Sequence, residues 1–527
     1  MSREKRKIEL TLSGRVAFAL VYFCLMIPQA GATPPSINLR FTDSLIADAR
    51  DDNQNGVDDD DNYELIINRL SLNGQLYGIS LDARLDTMYF HEPPTDEFKT
   101  TWARPERLSL SKRWDFSGSD QFTVTLGDQY QQLGHGQILA LRKVDELGVD
   151  ISLRGAKLAL RSGAWNTQVF GGVSNVVNID MVSMHHVEDK NDLIIGGQSS
   201  LRFTTGGEAG FLYAYIQPEE MTIEGADPPD ATSSGGFFFN LPSPTEFLSL
   251  YAEVDAQQRR VIERVQEGYA GYLTLDWHFG DTTLITEGLW VENFQQRGSN
   301  NTALISRFNY NQGPTLERID QEVAETYDVR GTRARVQQEF LEGELTVYLN
   351  GLYRLTKPND PMEITQYHGF GGLDWYFDEG RSRLSASGGH RLDFQQGYIN
   401  RVWSHAEGDY VQHIWGSIAG HLTTQFQRIQ VEQQPFFLRG STVAGLEKAG
   451  LGSLSVEWGV DTQNRSAGVR QVFWAGLLNW DISRIFLLRA TVGSQRGGIK
   501  CVGGVCRDFP EFSGYRLQLI ARHDLAF

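Results

Sequence analysis

From Tyr63 to the terminal Phe527 the chain repeats one pattern: segments of about 9 to 14 residues in which apolar and polar side chains alternate. A period of two sends successive side chains to opposite faces of an extended strand, so each segment has an oily face and a charged one. In Ile79–Tyr89 the oily set is Ile79, Leu81, Ala83, Leu85 and Tyr89, opposed by Ser80, Asp82, Arg84 and Asp86. Thr332–Phe340 sets Arg333, Arg335, Gln337 and Glu339 on one face, and residues 383–394 do the same with Arg383, Ser385, Ser387, Arg391 and Asp393.

A soluble β-sandwich also alternates, but its strands usually run about five or six residues, whereas a tilted strand needs about 9 to 11 to cross hydrocarbon. Aromatic side chains gather at segment ends, as in Trp277-His278-Phe279 and Trp375-Tyr376-Phe377, where the girdles of a membrane barrel sit. The polar faces carry many Arg, Asp and Glu, which a watery or plugged lumen tolerates and a lipid face does not. Strand-rich composition (54 Gly, 29 Phe, 19 Tyr, 11 Trp) without long apolar runs excludes a helical membrane protein. The reading is all-β, a transmembrane antiparallel up-and-down β-barrel. With both ends on one rim the strand number is even, and chain length gives about 18 to 22 strands.

The one continuous apolar stretch, Val16 to Ile27, follows Arg3, Lys5, Arg6, Lys7 and Arg15 and precedes Ala30-Gly31-Ala32. It is too short to span a bilayer and has the layout of a secretion signal, so residues 1–32 are expected to be removed. Residues 33–62 then form an acidic linker and 63–527 the barrel, located in a bacterial outer membrane. Losing five basic and two acidic side chains takes the formal charge from -18 to about -21, which argues against nucleic acid as a partner. The expected partners are outer-membrane lipid and the barrel-assembly machinery. The machinery would recognise the last strand, in which Tyr515, Leu517, Leu519, Ala521, Leu525 and Phe527 share a face that His523 interrupts.

Connectors alternate in length. The stretches around Gly280, Gly343 and Gly380 read as tight turns, whereas 91–103, 219–235, 293–325, 394–410 and 497–510 read as long outer loops. In the last of these Cys501 and Cys506 flank four residues; in an oxidising compartment that spacing points to a small disulfide ring, with a metal site as the alternative. Asp51, Asn53 and Asn55 take positions 1, 3 and 5 of a calcium loop, Gly56 position 6 and the Val57 carbonyl position 7, with Asp59 or Asp61 to complete it. The position 12 residue is Asn62 rather than Glu, so a solvated acidic linker stands beside calcium binding as a reading of these residues. His185-His186 with Glu188 and Asp189 is a second metal candidate, set against a solvated loop.

Residues 126–155 break the alternation and concentrate Gly and charge, which marks them as a segment folded into the barrel or an irregular hairpin, and the phase shift near Gly155 suggests a bulge. Gly127-Asp128-x-Tyr130, Gly134-x-Gly136 and Leu141-Arg142-Lys143 through Leu147-Gly148-x-Asp150 to Leu153-Arg154-Gly155 resemble a family of uncharacterised bacterial outer-membrane barrel proteins. DDDNYELIINRL at 59–70 and Leu81 to Asp86 are similar to its entry strands. The resemblance implies fold and location, without substrate or catalytic residues.

Function follows only coarsely. Asp82, Arg84, Asp86, Arg333, Arg335, Glu339, Arg383, Arg391 and Asp393 would line a lumen with mixed charge. That favours a non-catalytic channel or plugged barrel for small polar solutes. A surface-binding barrel that grips a polysaccharide or protein with loop 293–325 and the Cys501–Cys506 ring is the alternative. A barrel hydrolase is third, because His135, His278, His390, His413 and His523 are scattered with no convergence visible.

Overall fold

Ile37–Arg50 is hydrogen-bonded along both edges, to Tyr63–Leu76 on one side and to the C-terminal strand Phe512–Ala526 on the other. Asn38 faces Ala526 at one end of that seam and Arg50 faces Gly514 at the other. The expected linker 33–62 is therefore corrected, because its first half is the strand that closes the barrel. The computed structural model describes residues 37–526 apart from 55–61, 77, 94–99, 117, 145–146, 181, 183–185, 205, 220–230, 246, 262–263, 302–305, 318–327, 359, 464–468 and 503–504. The signal expected at 1–32 and the terminal Phe527 lie outside the described residues.

Among the described residues 24 strands form one closed sheet in which every strand pairs antiparallel with its chain neighbours. Closure leaves no strand edge of this sheet unpaired. The expected 18 to 22 strands fall short because connectors on one rim are tighter than assumed. Phe279 to Thr282, Phe340 to Leu345 and Phe377 to Ser382 are such turns, as the sequence predicts, with Gly280 and Gly380 at φ 61° and 78°. The opposite rim carries the long connectors, among them 130–148, 177–192, 293–328 and 496–511.

Two other expectations change. Residues 394–410 are not a loop: Ser382–Gln395 and Tyr398–Trp415 are joined by Gln396 and Gly397 alone, both at positive φ as a two-residue hairpin turn requires. No bulge occurs at Gly155, since Val149–Ser162 keeps unbroken register with Trp165–Val176. The irregularity is two strands away, at Glu106, where the register of Thr101–Asp115 skips between partners Arg84 and Leu85.

The alternation sorts as predicted. Leu85, Tyr89, Leu349, Leu454 and Trp474 are exposed on the outer face, whereas Asp86, Arg354, Arg391 and His405 are buried on the inner one. Spacing of ~4.8 Å and a tilt of ~40° give a 24-stranded barrel a mean diameter of roughly 48 Å, too wide for wall side chains to fill. Long-rim connectors fold inward instead, and the largest apolar cluster lies between them and the inner wall formed by strands 149–356.

Candidate functional site

The inward fold begins at Gly127. Its φ is 97°, and a Cβ there would lie 1.9 Å from the Leu108 carbonyl oxygen, so only glycine fits. Asp128 next to it accepts from the Leu108 N–H at 2.8 Å and from Arg154 Nε and Asn175 Nδ2, both at 3.0 Å. Tyr130 then turns into the barrel and donates to Asp150 Oδ1 at 2.6 Å. Burial and the Asp150 charge push the Tyr130 hydroxyl up, which keeps it a neutral donor. Asp150 also receives Arg84 at 3.1 Å and Arg107 at 3.0 Å, while Arg84 Nε bonds Asp86 at 2.7 Å. Asp86 is fully buried and faces Arg69 at 3.3 Å as well. The glycine and charge of the 126–155 block thus build an ionic knot that aims the chain inward.

The hairpin Gln131–Leu133 with Leu139–Leu141 enters the lumen and buries Leu133, Ile138, Leu139 and Leu141. Its tip is tied down by the His135 N–H, which donates to Glu253 Oε2 at 2.9 Å, and by Gly134, where a Cβ would strike that carboxylate. His135 packs edge-on against Tyr251, and burial draws its imidazole below the usual value while Glu253 pulls the other way. Residues 306–317 lie alongside: Ala140 N–H donates to the Tyr310 carbonyl at 2.7 Å, and Gln312 N–H to the Gly136 carbonyl at 2.8 Å. Asp192, from a third inward connector, accepts the Ser299 N–H at 2.8 Å, the Glu219 N–H at 2.8 Å and the Tyr310 hydroxyl at 2.6 Å. Burial and the Asp192 charge hold that hydroxyl well above its ordinary value, so it stays protonated.

The final long connector joins them. Gly498–Val502 and Val505–Phe509 form a hairpin whose Arg507 donates to the Leu147 carbonyl at 3.1 Å and pairs with Asp180. Backbone register sets Cys501 opposite Cys506. Of the calcium candidates, Asp51 donates its N–H to Ser513 and Asn53 Nδ2 donates to the Glu511 carbonyl at 3.3 Å, whereas Asn55, Val57 and Asp59 lie outside the described residues. His185 lies outside them too. His186 packs on Trp102, and Asp189 pairs with Arg104. Among the described residues no group of three His, Cys, Asp or Glu side chains is disposed to hold a metal ion.

The charged residues singled out in the sequence fall into separate clusters. Asp82 is half-buried, and Arg84 and Asp86 belong to the knot. Arg333 pairs with Glu287, and Arg335 lies over the Tyr348 ring at 4.4 Å. Glu339 is exposed next to the tight-turn rim. Arg391 grips Asp393 through two bonds of 2.8 and 3.1 Å and lies over Trp403. Arg383 pairs with Asp409, and these side chains keep 43% and 34% of their exposure. Further along the same wall Arg439 meets Asp461 at 2.9 Å and Glu457 accepts from Gln495 at 2.6 Å.

Residues 461–523 match a family of unknown function, DUF6029; the match lies on the last strands rather than on the 126–155 block. No curated protein matches the chain. Among solved structures it is similar to the E. coli P pilus tip assembly intermediate PapC-PapD-PapK-PapG, with TM-score 0.50 and 11% identity over 94% of this chain and 62% of that one. It is similar to the siderophore receptor PirA from Pseudomonas aeruginosa, with TM-score 0.46 and 10% identity over 93% of this chain and 81% of that one. A further likeness is to Pseudomonas aeruginosa OccK2 in complex with glucuronate, with TM-score 0.39 and 10% identity over 69% and 93% of the two chains. The fold is that of outer-membrane barrels.

Within this outer-membrane barrel fold one buried cluster has no counterpart in the sequence reading. Glu317, His368, His405 and Glu407 form a hydrogen-bonded row between the inward segment 306–317 and the wall. They lie on three separate stretches of chain, so spacing does not reveal them. The available signal was that His368 and His405 occupy inward-facing positions of their strands.

Proposed function

We propose that this chain is a non-catalytic outer-membrane channel for small polar solutes, narrowed at its long-loop rim by connectors folded into the lumen. One observation carries the reading: connectors pack an apolar cluster against the inner wall over strands 149–356, while the Arg383–Asp409 pair on the inner wall further round stays partly exposed. A mixed-charge wall beside water favours small polar or charged solutes through its field and width. The outer-membrane barrel fold shared with porins and receptors supports the location, and the apolar outer face supports contact with lipid.

The described part of segment 293–318 faces inward, which favours a channel over a barrel that grips partners with that loop. His390 Nδ1 and Ser404 Oγ meet at 2.9 Å on the outer face. A nucleophilic serine would also need a group to orient the imidazole and donors for the oxyanion. Ester hydrolysis by the purified barrel that is lost in Ser404→Ala would overturn the non-catalytic reading.

The channel reading is tested by planar-bilayer recording of the folded protein. Discrete, ohmic openings that grow when residues 130–148 are replaced by a short Gly-Ser connector are expected. No conductance from either protein would overturn it.

A further inference from the structure

The row that joins Glu317 to the wall is fully buried at Glu317, His368 and His405. Glu317 reaches it from the inward segment, His368 from Ile364–Phe377, and His405 and Glu407 from Tyr398–Trp415. His368 Nδ1 lies 3.0 and 3.2 Å from the two Glu317 carboxylate oxygens, and His405 Nδ1 lies 2.8 Å from Glu407 Oε1. A carboxylate accepts, so each Nδ1 carries a hydrogen. The two Nε2 atoms then face each other at 2.8 Å.

An N···N contact of that length closes only when one hydrogen lies between the nitrogens. With none, two lone pairs are opposed; with two, N–H points at N–H. The row is therefore intact at a single proton count, with the imidazole pair carrying one positive charge between two carboxylates. Adding or removing one proton therefore breaks the contact between the two rings.

The surroundings fit a latch on the inward segment. Gln366 donates to Glu317, Arg391 Nη1 stands 3.6 Å from it, and Ser387 Oγ donates to Glu407 Oε2 at 2.6 Å. Asp393 holds Arg391, and Arg354 and Gln427 face Gln366 and His405 from the two neighbouring strands. Just before Glu317, buried Leu316 is held at φ 63°, a left-handed conformation that a leucine leaves when its neighbours release it. Arg383 and Asp409 lie further along the strands that carry Arg391 and His405.

The geometry points to a proton-operated latch: the single proton shared by His368 and His405 holds Glu317, and with it the inward segment, against the wall, and gaining or losing a proton frees that segment to widen the passage. This deepens the channel reading and rests on it only for the word passage. The test is hydrogen exchange, corrected for intrinsic rates, on the full folded chain in detergent from about pH 5 to about pH 8. Wild type, Glu317→Gln and His405→Gln are compared, with heat-modifiable gel mobility confirming that each is folded.

Amides 308–317 are expected to reach maximal protection at one pH and to exchange at least about fivefold faster away from it. His405→Gln, which donates and accepts without titrating, should flatten that profile, and Glu317→Gln should lower protection throughout. Protection that does not vary with pH in wild type, or a His405→Gln profile identical to wild type, overturns the latch. Bilayer recording over the same range separates the two ideas: pH-dependent protection without conductance retires the channel and keeps the latch, and conductance with flat protection does the reverse.

Discussion

The Tyr310 hydroxyl donates to Asp192 at 2.6 Å, joining two inward segments 118 residues apart in the chain. Both groups are buried, and Asp192 also collects donors from Ser299 and Glu219, so one carboxylate organises three connectors. A buried carboxylate is stable only while such donors surround it.

Tyr310→Phe removes one donor and leaves the others in place. The expected cost is ~1 to 3 kcal/mol. It should appear as faster amide exchange across 293–301 and 308–317 with barrel strands unaffected, and as larger openings in bilayer recordings. Unchanged exchange in the inward segments would contradict the role of Asp192.

His135 gives a pH dependence with a definite sign. Burial holds its folded value below the ordinary imidazole value, against the opposing pull of Glu253. For a base with a lowered folded value the stabilisation is present above the unfolded value of about 6.5 and is lost progressively as pH falls below it. Amides 131–141 should therefore exchange faster as pH drops below about 6.5, and His135→Gln should remove that change. Protection that persists unchanged to about pH 5 would contradict the assignment.

Gly127 and Gly163 form an internal comparison. Both have positive φ, but a Cβ at Gly127 would meet the Leu108 carbonyl at 1.9 Å, whereas nothing lies within 4 Å of Gly163. Gly163→Ala should cost ~1 kcal/mol from conformation alone, and Gly127→Ala well over ~2 kcal/mol, because backbone must move as well. Urea titration of the folded barrel measures both, and equal midpoints would contradict the account.

The alternation in Ile79–Tyr89 assigns faces correctly because a strand has only two sides. The departure from the wall between Gln129 and Val149 is legible because Gly134, Gly136 and Gly148 interrupt the alternation there. Ile37–Arg50 was hidden because its run of acidic neighbours resembles a linker. Tyr398–Trp415 was hidden because Gln395 to Asn400 is polar and contains Gly397. The Glu317, His368 and His405 row needs the barrel to close before its members meet.

Arg383 and Asp409 should govern ion selectivity rather than stability. Both are partly exposed, so breaking the pair is expected to cost under ~1 kcal/mol. Arg383→Ala should shift the reversal potential in a salt gradient toward cations. An unchanged reversal potential would remove this wall from the conduction path.

Cys501 and Cys506 face each other across a hairpin, where facing Cα atoms lie about 4.5 to 5.5 Å apart, within the reach of a disulfide. Protein folded in an oxidising compartment should be alkylated at these two positions only after reduction, as read by peptide mass spectrometry. Alkylation without reductant would exclude the bond.

Spin labels at position 349 on the outer face and position 409 on the inner wall test the separation of oil from charge in the folded barrel reconstituted in bilayers. The label replacing Leu349 should be relaxed by dissolved oxygen and shielded from a water-soluble nickel complex, and the label replacing Asp409 should show the reverse. Equal access of the nickel complex to both positions would contradict a barrel that meets lipid outside and water within.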